Sequence, residues 1–199
     1  MDQYIHSRCE IRKSDIITTL NRDFYLSKGL YLPQNNWSDH IKKLHEVKAV
    51  MPPSHDLIDI IIDLDSRKKF FDGNDNAVSG KQKLLILKRI IEKVGPWRAE
   101  NLDNYFHNFD GDFYMDTEHI LVNENIEHKK RKKINVRRDG LAKKLEGREV
   151  YFINPGNNTV AGFVAGSNWA ILSYNGNPSL SFAGLGVRAK FFDISHLDK

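Results

Sequence analysis

Residues 109–120, FDGDFYMDTEHI, crowd Asp110, Asp112, Asp116 and Glu118 beside His119. Carboxylates and an imidazole at this density are the raw material of a metal-dependent nuclease, whose magnesium or manganese needs two or three converging carboxylates with positions left open for water and substrate. The spacing argues against that use. Glu118 and His119 are adjacent, so on a helix they diverge by about 100°, and no H-E-x-x-H or comparable ligand pattern encloses them. Asp116 instead reads as the N-cap of a helix running through TEHILVNENIEHKK, with Glu118 in the first turn where the helix dipole favours an anion. No cofactor and no catalytic residue is expected. A magnesium or manganese site on Asp110, Asp112, Asp116, Glu118 and His119 stands as the alternative.

The same stretch sits inside a sharp charge polarity. From Glu100 to Glu127 there are eight acidic residues and no Lys or Arg, while from His128 to Arg148 ten Lys or Arg stand against Asp139 and Glu146. Lys129, Lys130, Arg131, Lys132 and Lys133 are consecutive, and Arg137, Arg138, Lys143, Lys144 and Arg148 follow. On a helix five consecutive cations point all round and repel one another, which predicts an extended or partly ordered arm. Phosphates relieve that repulsion and release counterions when contacted. The function expected is therefore non-catalytic nucleic-acid binding, DNA rather than RNA, with these ten residues gripping phosphates. Tyr174, at the edge of a YNGNP turn, is the aromatic expected at the surface to stack on a base. Trp169, Tyr151 and Phe163 are expected in the core. Other readings of the polarity are a solvated linker, an internal pairing of the two blocks, a nuclear-import signal in KKRKK, or an adaptor whose exposed acidic stretch docks a protein partner.

Other motifs fail on their chemistry. DGNDNAVSGKQK has Ala77 and Lys83 where a calcium loop needs its Gly and bidentate Glu. As a P-loop it has Gln82 in place of the magnesium-holding Ser or Thr. Both readings yield to a polar turn that caps a helix after Ser79. A D…(D/E)-x-K nuclease would draw on Asp63 or Asp65, but the E/D-x-K partners are poor: DSRK is one residue too long, and Glu127-x-Lys129 lies in a segment read as helical. Cys9, the single cysteine, stands in a charged segment with nothing to mark it as a nucleophile.

The elements expected to position these residues are helical first and β-rich last. Ser14 caps a stripe of Ile16, Ile17, Leu20 and Phe24. Ser38 caps another with Ile41, Leu44, Val47 and Val50, ended by Pro52-Pro53. SHDLIDIIIDLD opens at Ser54, and SGKQKLLILKRIIEKVGPW carries Leu84, Leu87, Ile90, Ile91 and Val94 up to Gly95-Pro96. RAENLDNYFHNF adds a short helix with Leu102, Tyr105, Phe106 and Phe109 inward. From Arg148, the runs REVYFIN, TVAGFVA, WAILSYN, SLSFA and VRAKFFDI alternate with PGNN, GSN, GNP and GLG breaks. Five short strands at that spacing resemble an SH3-like barrel, an architecture shared by Tudor-type and DNA-tethering domains. The fold class expected is α+β, a mainly helical N-terminal two-thirds followed by a small five-stranded SH3-like β-barrel. The division is 1–127 helical domain, 128–147 basic connecting arm and 148–199 barrel.

Bulk composition agrees with a soluble globular chain. Of 199 residues, 40% are apolar and 28% charged, and the net charge of +4 is small beside the local blocks. The longest greasy stretch, LIDIIIDL, falls far short of the ~18 residues of a membrane span. The N-terminus carries charges where a signal peptide needs an apolar run. The expected location is cytoplasmic, or nuclear in a eukaryotic or viral setting, with no membrane partner.

Overall fold

The structure is a computed structural model that describes residues 5–6, 10–91, 98–134, 144–145, 148–165, 169–181 and 184–197. In chain order its elements are β1 (Ile5–His6), β2 (Ile16–Thr19), β3 (Tyr25–Ser27), β4 (Leu30–Tyr31), α1 (Trp37–Glu46), α2 (Ser54–Asp65), β5 (Phe70–Asp72) and α3 (Gly80–Ile91). Then come β6 (Arg98–Phe109), β7 (Asp112–Val122), β8 (Asn125–Ile134), β9 (Lys144–Leu145), β10 (Arg148–Ile153), β11 (Thr159–Ala165), β12 (Trp169–Gly176), β13 (Leu185–Val187) and β14 (Lys190–Phe191).

Strand residues outnumber helical ones, and the main sheet runs open from β1 through β4, β13, β6, β11, β12 and β10 to β9. Among the described residues no barrel closes, and three α-helices are present. This corrects the expected fold class, both the mainly helical two-thirds and the SH3-like barrel. The C-terminal runs do form β10, β11 and β12, but β11 pairs β6 and β13 pairs both β6 and β4. Those strands therefore extend a sheet begun upstream. A second sheet, β14-β3-β2-β5, is likewise knitted from both ends of the chain.

Helices form where caps and apolar stripes agree. The side chain of Asn36, rather than Ser38, caps α1 by accepting the Asp39 amide at 2.9 Å. Ser79 and Gln82 exchange side-chain and backbone bonds at the start of α3, a capping box. Elsewhere tertiary packing overrides the helical spacing. The Ser14 segment is β2, whose β-branched IITT run suits a strand, with Ile16 and Ile17 buried in different core clusters. RAENLDNYFHNF is β6, covered on both faces. Leu102 and Phe106 join the core of α2 and α3, while Tyr105 packs with the core of α1. Burial on both sides erases the polar alternation that marks a strand. Phe109, expected inward, is 70% exposed.

The helix expected from Asp116 is also a hairpin. β6, β7 and β8 form an antiparallel meander with two-residue loops. Asp110 and Gly111, both at positive φ, join Phe109 to its partner Asp112. Asn123 and Glu124, again both positive, join Val122 to Asn125. Paired positive φ angles match the twist of the flanking strands, which is why tight hairpins use them.

Candidate functional site

The meander sets the acidic and basic blocks side by side. Asp116 pairs in register with Arg131, Thr117 with Lys130 and Tyr114 with Lys133. Lys129 to Lys133 thus lie in the strand β8, which among the described residues pairs only β7, while 135–143 of the expected arm lie outside the described residues. Strand geometry resolves the repulsion that disfavoured a helix, since successive side chains alternate between faces and β7 supplies counter-charges one strand away.

The pairings differ in strength. Asp116 is buried, and Arg131 grips it with Nε at 2.7 Å from Oδ1 and Nη2 at 2.9 Å from Oδ2. His107 and His128 bring Nδ1 to 3.5 Å from Oδ2. Burial works against the charge on Asp116, yet Arg131, with His128 and His107, holds its carboxyl below the usual carboxylate range. Lys133 reaches Asp112 at 2.5 Å, and Lys130 pairs with Glu118. Both lysines are more than half exposed, so solvent screens these two pairs and they exchange easily. Lys129 and Lys132 are exposed and make no ion pair among the described residues.

His119 takes a different path. Its Nδ1 pairs closely with Asp103 Oδ1, and its backbone N–H donates to Oδ2 at 3.1 Å. Burial pushes the Asp103 carboxyl up, offset in part by His119 and the amides of His119 and Glu118. The His119 ring meets Trp37 edge-on at 4.8 Å and lies 6.1 Å from His128. His119 therefore shares a side of the sheet with Asp116 three residues away, which strict alternation forbids. Glu118, at φ 59°, breaks the alternation between them.

Between its pairings with β13 and β7, the same edge of β6 is satisfied by other groups. Trp37 Nε1 donates to the Leu102 carbonyl at 3.0 Å, and the Asp103 amide donates to the Pro52 carbonyl at 2.9 Å. Asn104 Oδ1 accepts the Ser54 amide at 2.7 Å, which caps α2 from outside the helix.

The other face of the meander opens into a cavity of about 740 Å³. Phe106, Met115, Ile134 and Tyr174 give it apolar surface, Lys129, Lys130 and Lys132 line one side, and Ser54, His55 and Asn154 add polar groups. The Tyr174 ring leans on Phe106, 5.1 Å between centroids and tilted 54°. Tyr174 is half-buried in this wall rather than standing clear at a turn.

The structure thus gathers Lys129, Lys130, Arg131, Lys132, Lys133 and Tyr174 around one strand. Lys144 and Arg148 are placed only by backbone, in β9 and β10. Arg137, Arg138 and Lys143 lie outside the described residues, as does Cys9; so do the side chains of Tyr151 and Trp169. The five residues of the alternative metal reading are drawn to separate partners. Asp110 sits in the hairpin loop, Asp112, Asp116 and Glu118 each face a cation, and His119 faces Asp103. Among the described residues no three His, Cys, Asp or Glu side chains group to hold a metal ion. Phe106, Met115, Ser54 and His55 were missed in the sequence. The signal that would have found the first two is Asp110-Gly111, a hairpin turn that sets them on adjacent strands. Among the described residues no helix is long and apolar enough to cross a membrane. Comparison with protein-family models, curated proteins and solved structures finds no match to this chain.

Proposed function

We propose that the protein is a non-catalytic nucleic-acid-binding protein that grips phosphates along β8. One observation carries this reading: among the described residues Lys129 and Lys132 stand exposed and without ion-pair partners, on a strand whose other cations are paired. Intramolecular pairing accounts for Arg131, Lys130 and Lys133, but leaves Lys129 and Lys132 over, both of them among the residues that line the cavity. Lys130 and Lys133 are held only by exposed pairs, which a phosphate can replace at little cost. Arg131 is committed to a buried carboxylate and serves the hairpin instead.

Binding to DNA and RNA, with and without magnesium, should weaken steeply with salt, because phosphate contacts release counterions. A Lys129→Ala/Lys132→Ala protein should bind more weakly, and its log K against log salt should flatten by about 1.4 on a single strand, roughly 0.7 for each phosphate no longer neutralised. Affinity that stays level between low and moderate salt would sink the reading.

A further inference from the structure

We propose that the cavity beside β8 receives one unstacked base, making single-stranded rather than duplex nucleic acid the substrate class. This rests on the reading of β8 as the phosphate-contacting strand. About 740 Å³ is ample for a small-molecule site. A nucleotide is a flat apolar ring with polar edges tied to an anion, and the cavity has the matching parts in the matching places. Met115, Ile134 and the tilted Tyr174–Phe106 pair present apolar and aromatic surface. Ser54, His55 and Asn154 offer hydrogen-bonding groups to a base edge, and Lys129, Lys130 and Lys132 form the cationic side. Lys130 and Lys132, two residues apart on a strand, stand about 7 Å apart along it, a separation suited to successive phosphates of an extended chain. A base held in a duplex stays stacked and paired, and cannot enter a recess without being extruded.

The test compares three labelled probes of equal length on the wild-type chain: an oligothymidylate, an abasic strand of the same sugar-phosphate backbone, and a duplex. Fluorescence anisotropy across a salt series reads the affinities. The oligothymidylate should bind about tenfold tighter than the other two, the scale of one base stacked on an aromatic ring. In a Tyr174→Leu protein whose circular dichroism and melting match wild type, oligothymidylate affinity should fall to that of the abasic strand, closing the gap. Steeply salt-dependent but equal binding of oligothymidylate and abasic strand by wild type would overturn the base seat and leave the β8 reading standing. So would duplex bound as tightly as oligothymidylate, or a gap that persists in folded Tyr174→Leu. No salt-sensitive binding of any probe would overturn the β8 reading, and the base seat with it.

Discussion

His40 shows how far a single side chain can be tied into the fold. It is fully buried on α1. Its Nε2 lies 2.8 Å from the Leu32 carbonyl and its Nδ1 2.9 Å from Asn101 Nδ2, so Nε2 donates and Nδ1 accepts in one neutral tautomer. Burial, partly offset by the Leu32 carbonyl, lowers its pKa to about 4. The unfolded chain, with an imidazole near 6.5, therefore takes up the proton first as pH falls. Stability from this residue is complete above about pH 6.5, declines between there and about 4, and levels off below, a loss on the order of 3 kcal/mol. Urea midpoints measured across that range should fall in wild type and fall less in His40→Gln. Parallel curves would show that His40 is not the group responsible. Nothing in the position of His40 among polar residues announces this. Its burial comes from Leu32 and Asn101, residues that the chain brings in from either side.

At the scale of elements, the β6–β8 meander turns a charge polarity into a surface. Its entry loop depends on Gly111 at φ 80°, where a Cβ is disfavoured. Gly111→Ala should lower stability by about 1 kcal/mol, while Asp110→Asn, which keeps a favoured two-residue turn, should be close to neutral. Thermal melts of the two variants check this, and an unaffected Gly111→Ala would contradict the turn. The three helices were legible from their apolar stripes, although only the Ser79 cap of α3 is the one the spacing predicts: Asn36 caps α1, and the Asn104 side chain caps α2. The meander was misread for two physical reasons. Leu102, Tyr105, Phe106 and Phe109 happen to fall at helical spacing, and β6 is buried on both faces. Asp110-Gly111 is a hairpin-turn signal, but a carboxylate in so acidic a stretch fits a ligand set as well as it fits a turn.

At the scale of the whole molecule, Arg188 fastens the two sheets together. It is completely buried. Its Nη1 donates to the carbonyls of Ser27 and Lys28 at 3.1 and 2.8 Å, and its Nε lies 2.9 Å from Glu100 Oε2 on β6. The contact with Glu100 is an ion pair by distance whose angle is too poor for a hydrogen bond, and among the described residues Nη2 has no hydrogen-bond partner. Glu100→Gln leaves a buried guanidinium without its counter-charge and should cost about 3–5 kcal/mol. Glu100→Gln combined with Arg188→Met should cost less than that single change, as measured by denaturant midpoints. A double variant worse than Glu100→Gln alone would refute the pairing.

By itself the sequence determined the stretches that hold the three helices, though not that three other stretches of helical spacing are strands, and that a block of carboxylates is followed by a block of cations. Apolar stripes act within a few turns and charge is a property of the residues, so both are local. Tertiary structure alone decided which cations are spent. Arg131 is used up because Asp116 is buried opposite it, and among the described residues Lys129 and Lys132 are left because Glu118, level with Lys129, is taken by Lys130 and Lys132 faces Met115. The cavity likewise exists only where β6, β7, β8 and β12 meet the start of α2, since its walls come from residues too distant in the chain for any local pattern to connect. FDGDFYMDTEHI changes meaning accordingly, from a candidate ligand set to a hairpin turn and the counter-charges of the strand beside it.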